Sequence, residues 1–147
     1  MKKISLTIII IIITKLSIFS INPALSESYT VGNYKNWEFV AYDMEINFYF
    51  IDPKQIKNEG DGLKLFKELT DFSIPKEEAM SRVSWKVVDC KNFKLKEIIA
   101  GFYFLKGGSG KHLDNYLVDF DTVDSWFDVS LPNTVGNLIA EKICDIK

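Results

Sequence analysis

From Trp37 onward the chain reads as short runs of β-branched and aromatic residues, separated by clusters of glycine, asparagine, aspartate and lysine. Apolar runs punctuated by turn formers are the mark of an antiparallel sheet. Trp37 to Tyr42 is the first predicted strand and Glu45 to Asp52 the second. Successive strand side chains alternate, so Ile46, Phe48 and Phe50 fall on one face and Asn47, Tyr49 and Ile51 on the other. Both faces are largely apolar, which predicts a central position in the sheet. Pro53 stops this strand, and Lys57-Asn58-Glu59-Gly60-Asp61-Gly62 is predicted to turn. Leu63 to Phe72 resumes as a strand, and Pro75-Lys76-Glu77-Glu78 predicts a loop. Val83 to Cys90, Leu95 to Leu105 and His112 to Phe120 give three more strands. Lys106-Gly107-Gly108-Ser109-Gly110-Lys111 reads as a flexible hairpin loop between the last two, and Trp126 to Leu131 as a short final strand.

The period then changes. Val135, Leu138, Ile139 and Ile143 recur at helical spacing, with Thr134 placed to cap the first turn. A helix of roughly ten residues is marginal alone in water, so it must dock on something. The predicted fold class is therefore α+β, a single antiparallel sheet of about six strands with a C-terminal helix packed on one face.

The first residues follow a different logic. Lys2 and Lys3 precede an apolar stretch from Ile4 to Ile13, and Pro23-Ala24-Leu25-Ser26 follows. That is the pattern of a secretory signal peptide. Its uninterrupted apolar core, before Lys15, is about half of the roughly 20 residues that span a bilayer. Lys15 at the centre of a longer helix would cost about 2.5–3.5 kcal/mol. Cleavage after Ser26 is expected, with cuts after Ala24 or Ser28 also meeting the rule. Residues 1–26 are thus read as leader and residues 27–147 as one domain. No cysteine lies near the cut, so lipid attachment there is not expected.

Export changes the reading of the two cysteines. Cys90 and Cys144 both lie in the mature part, and outside the inner membrane such a pair is normally oxidised. A Cys90–Cys144 bridge would fasten the helix to the sheet. Closing a loop of roughly 55 residues is worth about 4 kcal/mol in loop-closure entropy.

Charge and composition exclude several chemistries. With Lys2, Lys3 and Lys15 lost, 15 basic residues face 20 acidic ones, a net charge of −5. General nucleic-acid binding needs a basic face, so it is not expected. His112 is the single histidine, which leaves no second histidine for a zinc site or a dyad. The glycine run before Lys111 lacks phosphate-loop spacing, since Leu105 and His112 stand where Gly and Ser/Thr are needed. Asp119, Asp121, Asp124 and Asp128 lack the Asp-x-Asp-x-Asp-Gly run and the distal glutamate of a helix-loop-helix calcium site. No catalytic constellation, metal site or cofactor is predicted. From Arg82 to Lys111, seven basic residues stand against Asp89 and Glu97. Lys86, Lys94, Lys96, Lys106 and Lys111 are the candidate partner-binding residues, a basic surface that steers an acidic partner.

Tyr49-Phe50-Ile51-Asp52-Pro53 followed by Ile56 and Gly60, Asp89-Cys90 at a strand end, and Pro132, Thr134 and Gly136 leading to Cys144 form an ordered set. In that set the chain resembles the surface-adhesin protein E family of Gram-negative bacteria. The resemblance implies a surface-exposed, non-enzymatic protein that binds host matrix and plasma proteins such as laminin, vitronectin and plasminogen. It also implies a homodimer. The alternative is a periplasmic or envelope-associated structural protein with an unrelated partner.

Overall fold

The computed structural model describes residues 33–117 and 126–146. The leader, the last part of the predicted His112–Phe120 strand, and Asp119, Asp121 and Asp124 lie outside the described residues. The strands are β1 (Glu38–Tyr42), β2 (Phe48–Ile51), β3 (Lys57–Gly60), β4 (Leu63–Lys76), β5 (Ala79–Asp89), β6 (Lys94–Leu105), β7 (Ser109–Leu117) and β8 (Phe127–Asp128). One helix, α1 (Val135–Asp145), follows. Six strands form the sheet's path in the order β1-β2-β4-β5-β6-β7, all antiparallel. The two short strands prolong its layers: β3 continues along β4 beyond β2, and β8 along β6 beyond β7. The α+β expectation holds.

Three local expectations are corrected. The second strand begins at Phe48 rather than Glu45, because Ile46 has φ +61 and cannot lie in an extended run. Lys57 to Gly60 is strand and only Asp61-Gly62 turns, because pairing with Leu63–Leu65 overrides the turn-rich composition. The loop expected at Pro75–Glu78 shrinks to a two-residue turn, Glu77-Glu78, closed by the Lys76–Ala79 pair. Pro75 falls in the irregular stretch between Asp71 and Lys76, where its missing N–H breaks no ladder bond.

Register sorts the side chains. Phe66 faces Lys86, Glu68 faces Ser84, and Val88 faces Leu95, so these residues share one face with Ile51. Ile139, Ala140 and Ile143 of α1 pack on that face, and with Val129 they close a core around Ile51, Phe66, Val88 and Leu95. Gly136 permits the approach: a Cβ there would stand 2.7 Å from Val129 Cγ1.

Both ends of α1 are secured. Thr134 Oγ1 accepts the Asn137 N–H, satisfying one of the free amides of the first turn. At the other end Lys64 Nζ donates to the carbonyls of Ile143, Cys144 and Ile146 at 3.1, 3.1 and 2.5 Å. A cation there also complements the helix dipole. The Cys90–Cys144 disulfide, with Cα atoms 5.7 Å apart, ties the last turn to the end of β5.

Candidate functional site

The five candidate lysines do not form one surface. Lys86 lies on the helix-bearing face, where its Nζ is 2.5 Å from Oε1 of Glu68 and 3.9 Å from Oε2 of Glu97. It is an internal ion-pair partner, not a steering charge, because its register opposite Phe66 turns it inward. Lys94 and Lys96 lie two residues apart near the start of β6, with Glu97 turned to the opposite face. Lys106 and Lys111 are at the far end of β6, roughly 35 Å away along the strand. The flexible loop expected at 106–111 is a three-residue turn, 106–108, because Ser109 to Lys111 already belong to β7, and that turn is anchored. Asp71 Oδ1 accepts the Gly107 N–H at 2.8 Å and Ser81 Oγ the Gly108 N–H at 3.0 Å. Gly108 packs so closely that a Cβ would meet Val83 Cγ2 at 2.6 Å, with φ +65 besides.

Asp71 is buried, and desolvation pushes its carboxyl above the ordinary value. The hydrogen bonds from Tyr34 and Gly107, and the charge of Lys106, offset only part of that. Asp128 is exposed in β8, and its hydrogen bonds with Ser130 hold it below the ordinary value. His112 packs edge-on against Tyr103 at a centroid separation of 5.2 Å. No group of three or more His, Cys, Asp or Glu suited to a metal occurs among the described residues. No described helix is long and apolar enough to cross a membrane.

Two assemblies escape a reading by period. The first is on the helix-bearing face, where Glu68, Lys86, Glu97 and Arg82 form a chain of ion pairs. Glu68 is only 1% exposed. Nothing in the local sequence distinguishes these charges from solvated ones. The second is the β1–β2 end of the opposite face. Rings follow one another there from Tyr34 to Phe50, Phe39, Phe48 and Tyr42, with centroids 5.2, 5.7, 6.3 and 6.5 Å apart. A slip of register at Val40, between Phe39 and Ala41, brings Phe39 and Tyr42 to the same side.

The connection between β1 and β2 continues this surface. Asp43 Oδ1 accepts the N–H groups of Glu45 and Asn47, each at 2.9 Å. Its Oδ2 accepts Asn47 Nδ2 at 2.9 Å and the Tyr49 hydroxyl at 2.8 Å. The fully exposed Met44 and the 58% exposed Ile46 project from this braced turn, with Tyr42 and Ile74 also exposed. Ile74 is brought alongside by Ser73, whose hydroxyl donates to the Glu45 carbonyl at 2.6 Å. A β-branched residue at positive φ is strained, and such strain persists only where the surroundings impose it. The repeated Asp43-x-x-x-Asn47 bonding was the available signal, masked by the strand-like alternation that begins at Glu45.

Asp43 makes a pH prediction. Desolvation pushes its carboxyl up, but the bonds from Asn47, Tyr49 and Glu45 together outweigh it and hold the carboxyl below its ordinary value. A depressed folded value gives stability that is present above the unfolded value, about 4, and lost as pH falls through the folded one. Acidification below about pH 4 should therefore release the Glu45 and Asn47 amides, seen by NMR as faster exchange and shifted resonances. Asp43→Ala should do the same at neutral pH. Amides that stay protected in both cases would show that the turn is held by something else.

A sequence profile of surface-adhesin protein E matches residues 37–145. By structure, the chain is similar to Haemophilus influenzae protein E in crystal form II, at 19% identity and a TM-score of 0.54, over 78% of this chain and 90% of that one. A second structure of Haemophilus influenzae protein E aligns at 18% identity and a TM-score of 0.55, over 80% and 89%. At such identity these likenesses speak for the fold. No curated protein matches the chain by sequence. The profile spans every described element from β1 to α1, including both cysteines and the Asp-Pro turn after β2, and the chain belongs to the surface-adhesin protein E family.

Proposed function

We propose that this chain is an exported, non-enzymatic binding protein that acts at the cell surface by engaging host matrix or plasma proteins, such as laminin or vitronectin. The observation that carries the reading, beside family membership, is the braced apolar turn with Met44, Ile46, Tyr42 and Ile74 exposed. A rigid turn presents apolar side chains at little ordering cost, which favours association. Contiguous exposed apolar surface marks interaction sites. The separated pairs Lys94/Lys96 and Lys106/Lys111 are assigned the weaker role of guiding an acidic partner to that surface, an effect screened beyond about 8–10 Å. A homodimer is part of the proposal on family grounds.

The test is binding of the exported chain to immobilised laminin and vitronectin. Met44→Ser with Ile46→Asn should weaken binding by about tenfold or more while the fold stays intact, since Asn tolerates positive φ better than Ile. Glu in place of Lys94, Lys96, Lys106 and Lys111 should slow association and flatten its salt dependence. Unchanged affinity and rate in both variants would place the contact elsewhere. Protease shaving of intact cells separates a surface adhesin from a periplasmic protein with another partner.

Export is proposed to remove residues 1–26. Intact mass and N-terminal sequencing of the exported pool should place the first residue at or near Glu27. Peptides containing Lys2 in most of that pool would contradict a cleaved leader.

A further inference from the structure

The helix and Val129, just after β8, cover only part of their face of the sheet. Beside them the same side-chain rows continue through Glu68, Ser84, Arg82 and Glu97. A cavity of about 340 Å³ lies there, next to Gly136 in the first turn of α1. One wall is polar, with Arg82, Lys86 and Glu97; the other is apolar, with Leu95, Val129 and Phe127. Phe127 is 65% exposed.

Unused bonding capacity of mixed kind lies at and behind the polar wall; of the three residues that hold it, Arg82 alone lines the cavity. Arg82 Nε, Glu68 Oε2 and Ser84 Oγ are buried and make no hydrogen bond among the described residues. They are a donor, an acceptor and a hydroxyl that serves as either. Leaving such groups unpaired costs roughly 1–3 kcal/mol each. The charges around them already cancel, Arg82 and Lys86 against Glu68 and Glu97, so an ionic ligand would leave one charge of the network uncompensated.

We propose that this cavity is a subsite for a neutral polyhydroxylated ligand, a single pyranose residue of a glycan. Neighbouring hydroxyls of such a ring donate to Glu97 and accept from the Arg82 guanidinium, a pairing that needs no net charge. The C–H face of the ring packs on Phe127, beside Leu95 and Val129. The volume is at the small end of the roughly 300–1,000 Å³ typical of ligand pockets, which suits one ring rather than a chain. Glu68 acts behind the wall as a positioning residue, holding Lys86 in place.

The test uses the full chain as exported, titrated with the methyl glycosides of glucose, galactose, mannose and N-acetylglucosamine, and with acetate as an anionic probe. NMR follows the Arg82 Nε–H, the Gly136 amide and the Phe127 ring. At least one glycoside should give saturable shifts at all three while acetate gives none. Phe127→Ala should weaken that glycoside by about tenfold, with the remaining spectrum unchanged, and Glu97→Gln should weaken it as much while also shifting the Arg82 and Lys86 resonances whose ion pairs it removes. Lys111→Glu, at the other end of β6, should bind as the parent does. Silence with every glycoside, equal shifts with acetate, or full affinity in a folded Phe127→Ala variant would overturn the assignment. None of these outcomes bears on the matrix-protein reading, whose variants lie on the β1–β2 turn.

Discussion

Lys86→Met is expected to destabilise the domain by about 3–5 kcal/mol, the usual cost of removing one partner from a buried ion pair. The reason lies in Glu68. It is 1% exposed at the middle of β4, with Lys86 Nζ 2.5 Å from its Oε1. Its other contact is a hydrogen bond from the Thr70 hydroxyl at 3.3 Å. Take the ammonium away and a carboxylate remains in a dry setting with one weak donor. Replacing both residues, Glu68→Leu with Lys86→Met, removes the charge along with its partner and should be close to neutral. Urea unfolding of the parent, the two single variants and the double variant forms the cycle that measures this coupling. A loss in the double variant equal to the sum of the two single losses would show that the pair carries no coupling and that packing alone sets the cost.

Cys144→Ser should cost about 2–5 kcal/mol, as for bridges in other small exported domains. The bridge closes a long loop, running from the end of β5 through β6, β7 and β8 to the last turn of α1. Without it, α1 still has the Lys64 cap and the packing of Ile139, Ala140 and Ile143 on the sheet. The helix should therefore fray from its C-terminal end before the sheet unfolds. Non-reducing peptide mapping of native exported material should recover Cys90 linked to Cys144. Hydrogen exchange in Cys144→Ser should rise first in the last turn of α1 and then at the end of β5. A pair that alkylates fully without reductant, or a variant as stable as the parent, would remove the bridge from the account of stability.

Much of the architecture was legible in the chain. Apolar runs of period two set β1, β4, β5 and β6 close to their observed bounds, and the change to helical spacing at Val135 with Thr134 before it marked α1 and its cap. These signals are local: each depends on side chains within a few residues of one another, so sequence order carries them. The helix on one face and its bridge to β5 also followed, because a short amphipathic helix needs an apolar support and two exported cysteines pair.

What sequence order does not carry is decided by register. Lys86 looks like its basic neighbours until pairing with β4 sets it against Glu68, eighteen residues away. The lysine group dissolves for the same reason: residues close in sequence along β6 are spread over the length of a strand, with half of them turned to each face. Lys57–Gly60 is strand only because β4 offers it an edge, and the 106–108 turn is anchored only because Asp71 and Ser81 arrive beneath it. The Asp43 turn inverts this relation. Its bonds are local, yet the exposure of Met44 and Ile46 appears only once β1, β2 and the tail of β4 are assembled. Period and capping determine which segments become strand or helix, whereas cross-strand pairing decides which charges are buried and which apolar groups are left facing water.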